Sequence, residues 1–379
     1  MEWKEVRLGD ILNFRRGHDL PHSAMKPGNI PVAGSNGVIG YHDTATPIKP
    51  ILTIGRSGNV GKPYFYEEAW AHNTTLYVDD FKGNDPKFLY YLCQTMPFAN
   101  FGGGSAVPTL NRNHIHPLET KIPVKVEDQR RIASILSSLD RKIELNNKIN
   151  ADLEEMAQGI FKNWFVDFEP FKDGKFVDSE LGMIPEGWKV GTLGDFCKCL
   201  LGGTPSRSKE EYWNGDVNWI NSGEINKFRI LEASEKITEL GLSKSATKLL
   251  PKKTTVLAIT GATLGQVSLL EIDTCANQSV IGVLENAEVP YEYIYPFIKD
   301  RIEMLIQHQT GGAQQHINKD NVESLIFLLP AKNVLENYIS LVGPMYKRIE
   351  SQCFENLYLS TLRDTLLPRL MSGELEVPE

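Results

Sequence analysis

The stretch EWKEVRLGDIL, residues 2–12, decides the fold of this chain because it returns as GWKVGTLGDFC at residues 187–197. Trp3, Leu8, Gly9 and Asp10 match Trp188, Leu193, Gly194 and Asp195 at the same spacing. One short match is easily a coincidence, so the question is whether the similarity continues along the chain.

Four further blocks recur in the same order. ILTIGRSGNVG corresponds to VLAITGATLG, and AHNTTLYV corresponds to CANQSVIGV, which places Asn73 opposite Asn277. DPKFLYYLCQ corresponds to PYEYIYPFIK, and GSAVPTLNRNHIHPLETKIP corresponds to GGAQQHINKDNVESLIFLLP, with Asn111 opposite Asn318. Five blocks in one order predict two copies of the same domain, the second with about twenty additional residues between positions 201 and 256.

Each copy ends in a long helical pattern. From about Val126 to Phe165, and from about Leu335 to Met371, apolar residues recur at steps of four and three, the spacing of a coiled-coil seam, with one slip in each pattern. The apolar positions are Ile132, Leu136, Leu139, Ile143, Ile149, Leu153, Met156 and Ile160, then Leu335, Ile339, Val342, Tyr346, Ile349, Cys353, Leu359, Leu362, Leu366 and Leu370. Asn146, Asn147 and Asn150 fall where the first pattern slips by one residue, and polar residues in a seam fix register.

These patterns leave two interpretations open: each helix packs only on its own domain, or the two helices pack on each other. Patterns of nearly forty residues, against a mean of about 11–12 in globular proteins, favour an antiparallel coiled coil. The predicted fold class is therefore α+β, with two tandem mixed α/β domains, each followed by a long helix, and pseudo-two-fold symmetry.

The segments follow from the repeat. We predict a first domain at 1–124, a helix at 125–166, a linker at 167–187, a second domain at 188–330, a helix at 331–372 and a tail at 373–379. The linker carries six Asp and Glu against two Lys, and so supplies much of the net charge of -8. The aromatic residues around its start are expected to pack rather than to act: Trp164, Phe165, Phe168 and Phe171.

Composition narrows the class of protein. The 379 residues contain no run of eighteen or more apolar residues, so no membrane span is predicted, and the start MEWKEVRLGD is too charged for a signal peptide. The five cysteines are scattered and odd in number, which predicts a cytoplasmic protein without a disulfide framework. The pair Cys197 and Cys199 lacks a second pair, so no metal site is expected.

The glycine-rich stretch GRSGNVGKPYF, residues 55–65, suggests at first a nucleotide-binding loop. Such a loop requires G-x-x-x-x-G-K-[ST], but Arg56 takes the place of the first glycine and Pro63 that of the hydroxyl residue. In the second copy Gln266 replaces Lys62. We therefore predict a turn between two strands, with side chains that vary as recognition residues do.

No catalytic motif occurs in the sequence. G-x-G-x-x-G after a strand, G-x-S-x-G, H-E-x-x-H and the Asn-Pro-Pro-aromatic tetrapeptide of adenine methyltransferases are all absent. The tandem layout resembles the DNA specificity subunit of type I restriction–modification systems over nearly the whole chain. The blocks that carry this resemblance are GGTPSRSKEEYWNGDVNWI, IPVAGSNGVIGYHD, EDQRRIASILSSLDRKIELNNKIN and GIFKNWFVDFEPF.

The resemblance implies a non-catalytic subunit that binds double-stranded DNA. In that family each globular domain is a target recognition domain that reads one half of a bipartite, asymmetric site. The antiparallel helices set the spacing and dock the modification subunits, which methylate adenine with S-adenosylmethionine, while a restriction subunit cleaves DNA. The resemblance therefore implies no cofactor for this chain itself.

Residue types that contact DNA mark candidate positions on turns, because phosphates bind Arg, Lys, Ser and Thr, and base edges bind Arg, Lys, Asn and Gln. The first domain offers Arg15, Arg16, Arg56, Ser57, Asn59, Lys62, Asn111, Arg112, Asn113 and His114. The second offers Thr204, Ser206, Arg207, Lys209, Thr260, Thr263, Gln266, Gln314, Gln315, His316 and Lys319. For any single residue a solvated loop or a helix cap is an equally good interpretation, whereas each cluster as a whole favours DNA contact.

Two rival functions can be compared with DNA recognition. A self-contained restriction–modification fusion would need a methyltransferase domain, for which 379 residues leave no room. A protein-binding adaptor, in which the coiled coil is the functional part, is favoured only by the net charge of -8. A gel shift at increasing salt separates DNA binding from the adaptor, because DNA binding weakens steeply as salt rises.

Overall fold

The chain forms two compact units. A computed structural model describes residues 1–103, 109–307 and 316–377. Unit 1 consists of Met1–Glu144 with Leu357–Glu379, and unit 2 consists of Leu145–Asn356. Each unit therefore contains one part of both long helices.

Unit 1 contains more strand than helix before its long helix begins. Its strands are β1 (Trp3–Arg7), β2 (Asn13–Arg16), β3 (Ile30–Gly34), β4 (Gly37–His42), β5 (Ile51–Gly55), β6 (Pro63–Tyr66), β7 (Trp70–Ala71), β8 (Thr75–Asp80), β9 (Gly102–Gly103), β10 (Thr109–Leu110) and β11 (Glu119–Pro123). Its helices are α1 (Leu8–Ile11), α2 (Pro86–Thr95), α3 (Arg112–Ile115) and the first part of α4 (Val126–Phe165). Sheets in the orders β2-β8-β5-β6 and β4-β3-β7 stand beside the pairs β1-β11 and β9-β10.

Unit 2 repeats this plan. Its strands are β12 (Phe176–Ser179), β13 (Gly182–Pro185), β14 (Lys189–Thr192), β15 (Lys198–Leu201), β16 (Trp213–Ile220), β17 (Glu235–Ile237), β18 (Leu249–Leu250), β19 (Thr255–Ala258), β20 (Val267–Leu269), β21 (Thr274–Ala276), β22 (Val280–Leu284) and β23 (Ile326–Leu329). Its helices are α5 (Leu193–Phe196), α6 (Glu239–Ser243), α7 (Tyr291–Gln307), α8 (Lys319–Glu323) and the first part of α9 (Lys332–Ser372). The last part of α9 belongs to unit 1.

The common topology confirms the repeat predicted from the sequence. The order β15-β22-β19-β20 reproduces β2-β8-β5-β6, and β14-β23 reproduces β1-β11. The sheet β17-β16-β21-β18 reproduces β4-β3-β7 and adds β18, and each of these sheets contains one parallel pair. The strand β18 and the helix α6 fall in the region where the second copy is longer.

The long helices pack on each other within each unit. In unit 1, Ile132 and Leu136 of α4 share one buried core with Leu367 and Leu370 of α9, and Asp140 accepts a hydrogen bond of 2.9 Å from Arg363. In unit 2, Phe161 and Phe165 of α4 share a core with Leu335, Tyr338, Val342 and Tyr346 of α9. Early residues of one helix thus meet late residues of the other, which confirms antiparallel packing and shows that packing of each helix on its own domain alone is wrong.

A layer of amides crosses the helix seam in unit 2. Asn146, fully buried, donates to Glu355 and Asn356 at 2.8 Å and accepts from Gln352 at 3.0 Å. Asn150, 2% exposed, donates to the Cys353 sulfur at 3.5 Å. Because each amide meets a specific partner, sliding either helix along the other leaves buried polar groups unsatisfied, which fixes the register.

The start of the predicted linker packs through its aromatic rings. The ring centroid of Trp188 lies 5.6 Å from that of Phe168 and 5.1 Å from that of Phe171, and Trp164 lies 5.8 Å from Phe171. The rest of the linker forms the antiparallel hairpin β12-β13. The expectation that these aromatic residues pack is confirmed.

Buried charges join both helices to loops of unit 2. Arg229, with a side chain 1% exposed, donates to Glu154 of α4 at 2.6 Å and to the Tyr295 hydroxyl at 3.1 Å. Lys253 contacts Glu350 of α9 at 3.0 Å and also pairs with Glu271. Burial alone would raise the pKa of Glu154, but Arg229 and Lys299 outweigh it and hold the pKa below its ordinary value.

Removing the central cation should destabilise unit 2. We expect Arg229→Met to lower the free energy of unfolding by about 3–5 kcal/mol, because Glu154 would remain buried after losing its strongest partner. Urea unfolding followed by tryptophan fluorescence measures this change.

The matched control is Lys172→Met in the same unit, whose ion pair with Glu169 lies at the surface. It should cost about 1 kcal/mol or less, since exposed ion pairs contribute little. Equal effects of the two substitutions would show that the buried charges are not a structural joint.

Candidate functional site

Three of the predicted clusters of unit 1 meet in one open pocket of about 430 Å³. Arg15 and Arg16 come from the end of β2, Arg56 follows β5, and Asn111 and Arg112 begin α3. The remaining lining residues are Leu76, Thr109 and Leu110. Four arginines from three separate segments of the sequence therefore line one space.

Backbone hydrogen bonds hold these segments together. The Arg56 amide donates to the Thr74 carbonyl at 2.8 Å, and the Leu110 amide donates to the Arg56 carbonyl at 2.8 Å. A bridge between Ser57 and Thr109 continues this contact. The position of Arg56 between two strands thus depends on its backbone, so its side chain is free to vary.

The charges around the pocket are unevenly balanced. Arg15 lies 3.8 Å from Asp79, and Arg16 lies 3.9 Å from Asp19, but neither carboxylate lines the pocket. Arg56 donates to the Asn73 carbonyl at 3.3 Å. Burial, and then the positive charge of Arg16, lower the pKa of Arg56. Crowded cations of this kind are stabilised by an anion, which makes the pocket a candidate phosphate-binding cradle.

Some predicted residues of unit 1 have local structural partners. Asn111 caps α3 by accepting from the Asn113 amide at 3.0 Å, and Arg112 donates to the Phe14 carbonyl at 3.2 Å. The side chains of Asn113 and His114 are exposed on α3. Asn111 therefore serves as a helix cap at the edge of the pocket.

The glycine-rich stretch forms the predicted turn. The Gly55 amide donates to the Lys62 carbonyl at 3.0 Å, and the Gly61 amide donates to the Gly55 carbonyl at 2.7 Å. Gly61 has φ +81°, and a Cβ there would lie 2.6 Å from Phe98, so only glycine fits. Lys62 and Asn59 are exposed and lie outside the residues that line the pocket.

Unit 2 has the same backbone frame. Its Gly265 amide donates to the Ala258 carbonyl at 2.9 Å, as Gly61 does to Gly55, and its Ile317 amide donates to the Ile259 carbonyl at 2.9 Å, as Leu110 does to Arg56. The amide of Gly202 donates to the Val280 carbonyl at 3.0 Å, as Gly17 does to Thr75. These bonds define equivalent positions independently of side-chain type.

This frame corrects one detail of the sequence alignment. The Thr75 amide donates to the His72 carbonyl at 2.9 Å, and the Val280 amide donates to the Asn277 carbonyl at 3.2 Å. Asn277 is therefore equivalent to His72, whereas the sequence alignment placed it opposite Asn73. Matching the two asparagines by identity had shifted the alignment by one residue.

The side chains at the equivalent positions differ sharply. Arg15 and Arg16 pair with Tyr77 and Leu76 in unit 1, as Leu200 and Leu201 pair with Gly282 and Ile281 in unit 2. The frame also sets Arg56 opposite Ile259, which is 5% exposed, and Arg112 opposite Lys319. Lys319 lies 2.9 Å from Glu323. Three arginines of the unit 1 pocket, Arg15, Arg16 and Arg56, thus correspond to aliphatic side chains in unit 2, whereas Arg112 corresponds to a lysine.

The other predicted residues of unit 2 that the structure describes lie in loops, on turns or at helix starts. Arg207 stacks over Trp213 at 3.6 Å and pairs with Glu235, while Lys209 donates to the Tyr212 hydroxyl at 3.0 Å. The remaining side chains are partly or fully exposed on turns or at helix starts: Thr204, Ser206, Thr260, Thr263, Gln266 and His316. Gln314 and Gln315 lie outside the described residues.

Sequence reasoning did not predict one polar pair in each unit, although it included Thr204 among the candidate residues. Asn73 donates to Asp19, and Thr204 donates to Gln278 at 2.5 Å in the equivalent place. Each pair ties the loop after β2 or β15 to the turn before β8 or β22. The aligned blocks AHNTTLYV and CANQSVIGV already contain Asn73 and Gln278, so polar residues within the repeat were the available signal.

Two absences apply to the described part of the chain. Residues 1–103, 109–307 and 316–377 contain no cluster of three or more His, Cys, Asp or Glu side chains able to hold a metal ion. Within the same ranges, every helix is too short or too polar to span a membrane.

Comparison with known proteins gives one consistent result. The family model described as the type I restriction modification DNA specificity domain matches residues 1–155 and 185–337. The MjaIX specificity subunit of Methanocaldococcus jannaschii is 30% identical over 302 residues, covering 77% of this chain and 70% of that protein. The HindI specificity subunit of Haemophilus influenzae is 26% identical and covers 98% of this chain and 94% of its own length.

A solved structure supports the fold. The crystal structure of a type I restriction–modification S subunit from M. genitalium aligns with a TM-score of 0.65, covering 98% of this chain and 96% of that one. Its sequence identity is 15%, so this likeness concerns the fold alone.

The cationic pocket should govern how DNA binding depends on salt. We expect Arg16→Gln with Arg56→Gln to reduce the slope of log affinity against log salt by about 1.8, since each phosphate contact contributes about 0.9. Titration of duplex DNA at several salt concentrations measures the slope.

The control is Lys121→Gln on β11, which removes one charge from an exposed ion pair with Glu5 of β1. It should leave the slope unchanged. The unmodified chain, the double variant and the control should all melt at similar temperatures. An unchanged slope in the double variant would show that the pocket does not contact phosphate.

Proposed function

This chain belongs to the type I restriction–modification DNA specificity family, and from that premise we propose that it reads a bipartite, asymmetric site in double-stranded DNA. Membership in the family makes the chain a recognition subunit without catalysis of its own. Each unit reads one half-site, and the two half-sites differ in sequence.

The contrast between the two units is the observation that supports this proposal most directly. Equivalent positions carry Arg15, Arg16 and Arg56 in unit 1 but Leu200, Leu201 and Ile259 in unit 2. Guanidinium groups bind phosphates and guanine edges, whereas aliphatic side chains do neither. One scaffold with two chemistries suits two unlike half-sites.

The helices serve as the spacer and the docking element in this proposal. The amide layer around Asn146 and the contact between Asp140 and Arg363 hold one antiparallel register. A constant register gives a constant distance between the half-sites. The modification subunits dock on these helices and bring S-adenosylmethionine, and a restriction subunit joins the complex in the cytoplasm.

Mapping methylated adenines tests the bipartite site. The chain is co-purified with the modification subunits from its own genome, and methylation is mapped across a long natural DNA. We expect two unlike half-sites separated by a constant gap of unspecified bases. A single palindromic site, or binding that ignores salt, would contradict the proposal and support the protein-binding adaptor instead.

Shortening both helices tests the spacer. Removing seven residues from each, 141–147 and 356–362, takes out Asn146 together with its partner Asn356 and shortens the seam by about 10 Å. The gap between half-sites should then decrease by about three base pairs, at 3.4 Å per base pair. Methylation mapping with the shortened chain measures the gap.

The control for this experiment is a deletion from α4 alone, which should abolish assembly because the seams no longer match. An unchanged gap in the double deletion would refute the spacer role.

A further inference from the structure

Leu201 is an exposed apolar residue in a strand that also contains a buried residue on the same face. It ends β15 with 40% of its surface exposed, while Cys199 in the same strand is 2% exposed. Its equivalent in unit 1 is Arg16, which lines the cationic pocket. One backbone position therefore presents a guanidinium group in one unit and an isobutyl group in the other.

The positions around Leu201 in the common frame combine buried aliphatic and exposed polar side chains. The pocket residues Arg56, Leu110 and Arg112 of unit 1 correspond to Ile259 and Ile317, which are 5% and 1% exposed, and to Lys319. The pair Thr204 and Gln278 stands just beyond the end of β15. This arrangement offers an apolar contact bordered by hydrogen-bonding groups.

Only one group on the base edges of DNA suits such a contact. In the major groove the C5-methyl of thymine is apolar, whereas every other distinguishing group donates or accepts a hydrogen bond. Resting on the proposed function, we propose that Leu201 is a specificity-determining residue that contacts a thymine methyl group in the half-site read by unit 2.

Deoxyuridine provides a direct test, because it pairs as thymine does and lacks only the C5-methyl. After the half-sites are mapped by methylation, each thymine of the second half-site is replaced singly by deoxyuridine on either strand. Affinity of the complex with modification subunits is then titrated for each duplex. One replacement should weaken binding about three- to fivefold, the ratio expected for one methyl group removed from water.

Variants separate Leu201 from its surroundings. Leu201→Ala should bind the thymine duplex about three- to fivefold more weakly and no longer distinguish deoxyuridine from thymine. Leu201→Met should retain the distinction, because methionine keeps an apolar side chain of similar size. The control Leu249→Ala, at another exposed leucine of unit 2, should leave the distinction intact, and melting temperatures establish that all variants fold.

The outcomes are distinguishable. Uniform affinity across the deoxyuridine series, discrimination that survives in Leu201→Ala, or a second half-site without thymine would overturn the role of Leu201 while two unlike half-sites remained. Absence of any sequence-dependent binding would instead overturn the proposed function, and this inference with it.

Discussion

The apolar seams of the two long helices are the constraint on which the rest of the structure depends. The first part of α4 is covered in unit 1 by the last part of α9, through Ile132, Leu136, Leu367 and Leu370. The remaining parts of both helices complete the core of unit 2. Fully burying one such side chain is worth about 1.5–3 kcal/mol, so neither unit closes its core without residues from both halves of the chain.

The backbone frame explains how two chemistries share one fold. The bonds around Gly61 and Gly265, and the amides that bind the carbonyls of Arg56 and Ile259, involve main-chain atoms alone. Side chains at these places therefore change without loss of the frame. Substitution destabilises the frame only at the few positions where a left-handed turn requires glycine. The side chains that contact DNA can therefore differ between the units while the sheets and helices stay the same.

The sequence predicted what local patterns encode and missed what distant strands bring together. Heptads revealed both helices, and the repeat revealed both domains, because these signals lie in adjacent or aligned residues. The convergence of Arg16, Arg56 and Arg112 depends on the strand order β2-β8-β5 and on the return of the chain after β10. Leu201 is not among the predicted contacts because those residue types are polar, although apolar groups also read DNA. The proposed DNA contacts of all these residues stay predictions.

Polar groups in the seam prevent a slip of register that apolar residues alone would allow. A uniform apolar seam is nearly as well packed after a slip of one heptad, which moves the helices by about 10 Å relative to each other. The buried amides of Asn146 and Gln352 lose each other as partners in such a slip. Each orphaned amide costs about 1–3 kcal/mol, so the slipped register is rarely occupied. If the helices set the gap between half-sites, these polar contacts keep that gap constant.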